Sequence, residues 1–546
     1  MRKTKAWTQY EAGKAYKRRI GLYGTVSRNE SYYRGEQWGD GTGERELPKP
    51  VFNIVRRLTD YLVGAVAGGR VSVTYLDDAI MPQPTEELTK KMHEGIELLN
   101  RHTAYRWERC GMDRMVYRLL LDAALAGDGV LYCYWDKDAP SGGPGGDIRT
   151  VSWDSCELCA ADMNRADIQS QEYIILAGRE SVRSLRREAR EAGLSSETVS
   201  KIRSDAAFNY DGTSRSYPEL EDDEGAKATV LLKFWREDGV VWFEKTTAEV
   251  VIRRVRTDMH LYPVAYFNWM PTRGSFHGTS PVSGMIANQK FINRAYAMVM
   301  KHMTDAAFSK VVYDKSRIPE WSNEVGQAIA AVGGGLDDAV QVVGVGQMQS
   351  GYMDLIQNAI DMTKEMAGAT DTVLGSAQAN NTSAILALQE ASRTALQQVS
   401  ASFAQCMEDV ADIWADMLCA VCAGEQLLPY LQDGQKRLQT VDLSLLRAGM
   451  LRAHVEVGNL TQYSSSGTQN ALDKLLDGGY ITLRQYLEQL PAGIMPMRAK
   501  LLLEIEENDS HKEKGGEQDA DERTDADRDD ADRGLPHAAS TDGERI

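Results

Sequence analysis

Apolar residues at Val51, Ile54, Val55, Leu58, Leu62 and Val66 recur at steps that are mostly three or four, which predicts a helix over Val51–Val66 with Asn53 as its N-cap. The first ~36 residues are polar and helix-tolerant, and the glycines and prolines of YYRGEQWGDGTGERELPKP then predict a loop. After the helix, GGRVSVTYLDD reads as a short strand. Helical spacing returns at about Thr85 to Asn100 and Arg106 to Ala126, the second stretch closing on Gly127-Asp128-Gly129. From Val130 the period drops toward two. VLYCYWD, EYIILAG, TVLLKFW, VVWFEKT and AEVVIRRVRT are rich in β-branched and aromatic residues, so the region to about Asn268 is mostly sheet. It is interrupted by a basic helical insert at Ser181 to Ala192 and a polar linker around Ser204 to Gly225.

In the second half, a Gly/Ser/Pro loop leads into a predicted helix of about 28 residues, with Pro281 in its first turn. Two strand-like pieces, KVVYD and AVQVVGVG, enclose breaks at Pro319 and Gly333-Gly334-Gly335, and helical signal resumes from about Tyr352 to Gly368. A loop of small and amide residues follows, roughly Ala369 to Thr382. Beyond it, apolar residues fall at Ile385, Leu388, Ala391, Ala395, Val399, Phe403, Cys406, Val410, Ile413, Met417 and Val421. Steps of three and four sustained over about ten turns predict one buried stripe along a rod of about 55–60 Å. The steps do not form a strict heptad with flanking charge pairs, which disfavours a two-stranded coiled coil. Shorter helices are expected after Gly424, including Asn470 to Leu476 and Leu483 to Leu490. The stretch from Asn508 holds 13 acids against 6 bases and almost no large apolar side chain, a composition expected to be disordered.

Composition narrows the function. At 546 residues the chain has room for roughly three to four domain-sized units. A formal charge of -17 disfavours tight non-specific clamping of nucleic acid. The basic N-terminus lacks the apolar core of a secretory signal, and no run approaches the ~18 apolar residues of a membrane span, so a soluble intracellular protein is expected. Seven scattered cysteines, an odd number, suggest a reducing compartment rather than a disulfide framework.

No catalytic pattern emerges. A phosphate-binding GxxxxGK[ST] loop, HExxH, GxSxG and a strand-linked GxGxxG are all absent, so no catalytic residue and no cofactor are assigned. Cys156-Glu-Leu-Cys159 and Cys419-Ala-Val-Cys422 each have metal-knuckle spacing. The pairs are far apart in sequence, however, and the second lies on the amphipathic helix, so buried small-hydrophobe cysteines are the favoured reading and no metal is assigned. Lys290, Arg294 and Lys301 share one face of the helix after Pro281, either as a solvated face or as a basic stripe turned toward an anionic polymer or partner.

In their order along the chain, YYRGEQW with LPKPVFNIVRRLTDYLVG, LYPVAYFNWMPTRGSFHGTSPVSGMIANQKFIN, the helical and strand segments from Pro281 to Gly424, and VEVGNLTQYSSSGTQNALDKLLDGGYITLRQYLEQLP resemble the portal, or head-to-tail connector, proteins of tailed double-stranded DNA bacteriophages. Gly278, Ser280, Pro281, Gln289 and Asn293 match the family's loop-to-helix pattern. The resemblance implies an α+β, predominantly helical ring subunit. Its parts would be a β-rich wing (1–268), a first stem helix (269–308), a small α/β clip (309–349), a second stem helix (350–370), a tunnel loop (371–383), a long kinked or straight channel helix (384–424), a helical crown (425–507) and a disordered acidic tail (508–546).

It further implies a non-enzymatic ring of about twelve copies at one capsid vertex of the virion, assembled in the bacterial cytoplasm without a membrane. Double-stranded DNA would be packaged through it and later ejected. Expected partners are the terminase large subunit, head-completion and tail adaptors, and the major capsid and scaffolding proteins. The tunnel loop is matched by Leu374, Ser376, Gln378, Asn380, Asn381, Thr382 and Ser383; an ordinary interhelical turn capped by Thr382 or Ser383 is the plain alternative. Ala395→Asp or Val399→Asp is expected to abolish ring formation or solubility, because the long helix has the length to pack against its copy next door. A metal-dependent DNA-processing enzyme and a scaffolding or minor capsid protein without a channel are the competing classes.

Overall fold

A computed structural model describes residues 3–39, 47–77, 86–139, 146–205, 226–308, 310–322, 329–334, 338–343, 351–369, 396–421, 425–432, 435–443, 451–459, 469, 472–490 and 501. Two compact units emerge: residues 1–430 with 438–458, and residues 431–437 with 459–546. The first unit opens with α1 (Lys5–Arg19), α2 (Leu22–Arg34), α3 (Ile54–Ala67), β1 (Gly69–Asp77), α4 (Glu86–Cys110) and α5 (Met112–Ala126). There follow β2 (Asp128–Asp136), β3 (Asp147–Trp153), β4 (Leu158–Ala160), β5 (Tyr173–Ser181), α6 (Val182–Glu191), α7 (Ser196–Ser200), β6 (Lys227–Glu237), β7 (Val240–Thr246), β8 (Val251–Arg256) and β9 (Val264–Asn268). Next come α8 (Pro281–Ala307), β10 (Lys310–Tyr313), β11 (Val340–Val343), α9 (Gly351–Met366), α10 (Gln397–Val421), β12 (Glu425–Gln432), β13 (Gln435–Asp442) and β14 (Leu451–Asn459). In the second unit, α11 (Leu483–Gln489) starts on a capping box in which Thr482 and Gln485 bond each other's backbone amides.

The period-two region builds two antiparallel sheets, β3-β2-β9 and β4-β5-β6-β7-β8. Phe234 and Phe243, opposite each other on β6 and β7, pack at 5.2 Å between ring centroids. The strand-like ends around Pro319 do pair, antiparallel, from Lys310 opposite Val343 to Tyr313 opposite Val340. Antiparallel packing of α8 and α9 buries Ile292, Ala295 and Ile356, and Asn288 Nδ2 donates to Thr363 Oγ1 across it at 3.0 Å.

Several expectations are corrected. The break predicted between Asn100 and Arg106 lies at Gly111, with φ +63°, because α4 buries the polar residues His102, Thr103 and Arg106 and its inward face is hidden from a hydrophobicity pattern. Arg106 Nη2 lies 3.0 Å from Asp147 and 2.7 Å from His102 Nε2. Burial, with that guanidinium beside it, pushes His102 down to about 3, so the ring is neutral. The short strands β3, β4 and β9 were not separately predicted. Residues 425–459, expected as helical crown, hold the β12-β13 hairpin and β14, which pairs with β1. Alternation shows there in hindsight, since Ala453 and Val455 are buried while Arg452 and His454 are exposed. The described chain is mixed, roughly half helical, rather than predominantly helical.

The stripe of the long helix is described from Leu396 onward, and it lies in its own subunit's core. Val399, Phe403, Cys406, Val410, Ile413 and Met417 are buried, while Val421, at its end, is 45% exposed. Phe403 meets Phe267 of β9 edge to face at 6.3 Å, and the fully enclosed Trp414 donates its indole N–H to Thr150 Oγ1 at 3.0 Å. The helix therefore spends this face on its own sheet, which overturns the packing against a neighbouring copy expected of Val399.

Candidate functional site: the anchor of the stem helix

The residues of the loop-to-helix pattern converge on the start of α8. Ser280 is its N-cap, accepting from Val282 N at 3.1 Å while its hydroxyl donates to the Ala124 carbonyl at 2.5 Å, and Pro281 occupies the first turn, where no amide donor is missed. Ala124 belongs to the last turn of α5. The neighbouring Leu125 carbonyl accepts from Asn29 Nδ2 at 2.8 Å, and that of Gly127 accepts from Trp269 N at 3.0 Å. The carbonyls at and just beyond the C-terminus of α5 are thus satisfied by a hydroxyl from the cap of α8, a side-chain amide from α2 and a backbone amide following β9. Close approach requires glycine. A Cβ on Gly127 would lie 2.5 Å from the Gly278 carbonyl oxygen, and one on Gly278 would lie 2.8 Å from that of Gly127.

Asp128 locks the joint. It is 1% exposed; Oδ1 accepts from Gly278 N at 2.7 Å and Asn268 Nδ2 at 2.8 Å, and Oδ2 lies 2.6 Å from His277 Nδ1. Sequence reasoning singled out neither Asp128 nor His277. The available signal was an Asp flanked by glycines at a helix-to-strand junction, read only as a helix stop.

Two turns further along α8, Gln289 and Asn293 enter a buried amide network. Gln289 Oε1 accepts from Ile54 N at 3.0 Å and Val55 N at 3.2 Å, the first amides of α3, and Nε2 donates to the Phe52 carbonyl and to Asn293 Oδ1, both at 2.8 Å. Asn293 Nδ2 donates to Gln37 Oε1 at 2.7 Å, and Gln37 Nε2 donates to the Tyr32 carbonyl and Asn53 Oδ1. Asn53 caps α3 through Arg56 N, as its sequence position predicts. Gln289 thereby acts as a second, long-range cap of α3, so that α2, α3 and α8 share one hydrogen-bond system.

The other sequence candidates are not brought to this anchor. Lys290 and Arg294 are exposed on α8; the Lys290 ammonium lies 6.0 Å from the Tyr32 ring centroid, and Lys301 pairs with Asp305 at 3.7 Å. Leu374, Ser376, Gln378, Asn380, Asn381, Thr382 and Ser383 lie outside the described residues, as do Cys422 and the acidic tail. Cys156 packs with Leu22, Tyr23 and Val26 and Cys159 with Ala6 and Tyr10, two separate clusters, and burial raises both thiols. Among the described residues no group of three or more His, Cys, Asp and Glu could hold a metal ion.

A row of carboxylates on α10 was also missed. Glu408 accepts from Val455 N at 3.1 Å, Asp412 from Ala453 N at 3.0 Å, and Asp416 from His260 N and Leu261 N at 2.7 and 2.8 Å. Spaced i, i+4, i+8, they tie the long helix to β14 and to the approach of β9. Burial pushes Asp412 up to about 6, against the opposing pull of the Ala453 amide.

Residues 213–472 match the family model described as phage P22-like portal protein. The chain resembles a phage portal protein. The matched stretch, just under half of this portal-like chain, contains α8, β10, β11, α9 and α10 together with Gly278, Ser280, Pro281, Gln289 and Asn293. Their partners Gln37, Asn53 and Asp128 lie before it, so the anchor joins the matched and unmatched parts of the sequence. No curated protein matches the chain. The portal family is structural, associated with the capsid and oligomeric. No described helix is long and apolar enough to cross a membrane.

Proposed function

We propose that this chain is the subunit of a portal ring at one capsid vertex, through which double-stranded DNA is packaged by a terminase and later ejected. The observation that carries the reading is the coincidence of the portal-family match with a long helix pair, α8 and α9, whose base is fixed by the Gly127–Gly278 joint and the Gln289 network. A subunit that lines a passage for a moving polymer needs a stem that holds its place while its tip engages other proteins.

In this reading residues 1–268 are wing, α8 and α9 the stem, and 309–349 the clip that receives the terminase large subunit and then the head-completion and tail adaptors. Residues 371–383 form the tunnel loop and 425–507 a crown, with capsid and scaffolding proteins meeting the outer surfaces. Leu374, Ser376, Gln378, Asn380, Asn381, Thr382 and Ser383 offer small and amide groups and no cation to passing phosphates. Each charge-assisted contact would add affinity that must be broken again as DNA advances. At -17 per chain, a ring of about twelve carries on the order of -200 and repels DNA from its walls. Lys290, Arg294 and Lys301 are basic positions on the first stem helix. Electron microscopy of the purified full chain, with native mass, tests the reading: closed rings with a channel near the ~20 Å width of B-form DNA are expected, and a chain that stays monomeric at high concentration counts against it.

A further inference from the structure

Helix α9 has two apolar flanks with different fates. Gln357, Ile360 and Lys364 project on one side, into a cleft of about 280 Å3 shared with Phe52, Leu58 and Tyr296. The cleft lies below the roughly 300–1,000 Å3 of small-molecule sites, and its size suits one or two side chains. Leu355, Met362 and Met366, at 51, 62 and 74% exposure, lie about 180° around the helix at 100° per residue. Between these flanks, Ile356 and Thr363 are buried, Ile356 in the packing against α8.

The cleft carries Arg57, which is exposed and has no ion-pair partner among the described residues, and Lys364, which pairs within its own helix to Asp361 at 3.3 Å. Glu365, one helical turn from Met362 of the ridge, is exposed and has no ion-pair partner among the described residues; with Asp354 it lies about midway between ridge and cleft. A cleft of side-chain size with an unpaired cation beside it and an exposed apolar ridge with an acid one turn away, facing opposite ways on one helix, are complementary between identical copies related by rotation. That is the pattern of a heterologous interface, which closes into a ring when the rotation permits. We infer that the Leu355–Met362–Met366 ridge of one copy seats in the Phe52–Tyr296–Ile360 cleft of the next. The inference rests on the ring reading above and adds which surfaces meet.

Replacing Met362 with a benzophenone-bearing photo-crosslinking amino acid in the full chain tests it. Within purified rings, cross-links between copies should map to peptides carrying Phe52 or Tyr296. Closed rings whose cross-links map elsewhere, or that give none between copies, overturn the seating and leave the ring reading intact; failure of the unmodified chain to oligomerise overturns the ring reading itself. A second experiment uses polarity. Met362→Glu removes the ridge and Phe52→Glu removes the cleft, so each variant alone should lose rings, while an equimolar mixture, retaining one good interface, should give a discrete dimer in native mass spectrometry. Rings persisting in either single variant overturn the seating, as does a mixture that stays monomeric. Should Phe52→Glu fail to fold, the cross-link decides.

Discussion

Gln289→Leu offers a sharp test of the anchor. The substitution keeps an apolar body of similar length and deletes four hydrogen bonds, those to Ile54 N, Val55 N, the Phe52 carbonyl and Asn293 Oδ1. Phe52 and Ile54 are partly exposed and can recruit water; Val55 and Asn293, at 1 and 3% exposure, cannot. Two buried groups left unpaired, at about 1–3 kcal/mol each, give an expected loss of about 4 kcal/mol. Because the chain comprises two compact units, the loss belongs to the first unit and should shift only its transition in scanning calorimetry or urea unfolding. Hydrogen exchange localises it further, with protection lost at the first turn of α3 and around Asn293 and retained in β5 and β6. Gln289→Glu keeps the acceptor side and replaces the two donors with a second oxygen facing the Phe52 carbonyl and Asn293 Oδ1, so it should be nearly as costly at pH 7. A Gln289→Leu protein within about 0.5 kcal/mol of the parent, with unchanged exchange in α3, would refute the capping argument.

Four further outcomes are expected, three from the described structure and one from the proposed role of residues 371–383. Gly278→Ala places a methyl 2.8 Å from the Gly127 oxygen and 2.9 Å from that of Met270, backbone atoms that cannot step aside, and should cost about 1–3 kcal/mol; a neutral effect in a thermal melt would show that the joint is slack. Asp412, raised from 3.8 to about 6, binds its proton more tightly in the folded state, so its contribution falls as pH rises from about 4 to 6 and stays low above that. Asp412→Asn should remove that slope and be more stable than the parent at pH 7, by less than the about 3 kcal/mol that the full shift would give; a stability difference between variant and parent that stays constant across urea unfolding at pH 4, 5, 6 and 7 would contradict it. Val399→Asp buries a charge in the subunit's own core and should abolish near-ultraviolet dichroism or solubility; a well-folded variant that merely fails to form rings would restore the neighbour-packing view rejected above. Replacing Asn380 and Asn381 with Lys should slow or stall DNA translocation in a packaging assay while leaving rings intact, and unchanged kinetics would remove the low-grip argument for the loop.

Much of the fold was legible because its signals are local. Asn53 before an apolar run, Ser-Pro at the head of α8, Ser181 at the head of α6 and the period-two runs of β5, β6 and β7 each declare themselves within a few residues. The misses share a different cause. His102, Thr103 and Arg106 are polar yet buried, so no hydrophobic period marks that part of α4; β14 is a strand because β1 lies beside it, and that partner is hundreds of residues away. Of the α10 stripe, the six positions from Val399 to Met417 are buried as expected, but a period cannot say what buries them, and the answer includes the chain's own β9. At the anchor, local chemistry marked Ser280 and Pro281, while Gly278, Gln289 and Asn293 were pointed to by the family pattern alone. Their partners, Gln37, Asn53 and Asp128, are scattered through the first quarter of the chain and meet only when folded.

The shared capping of α3 by a side chain of α8 has a mechanical meaning. A side-chain tip sits about 5–6 Å from its helix axis, so turning α8 by about 10° against α3 carries the Gln289 amide about 1 Å. That stretches bonds of 3.0 and 3.2 Å beyond hydrogen-bonding range and leaves the Val55 amide dry. The stem is thus stiff in torsion at its root, and a twist applied at its far end is delivered to the helices beneath it instead of being absorbed in the joint.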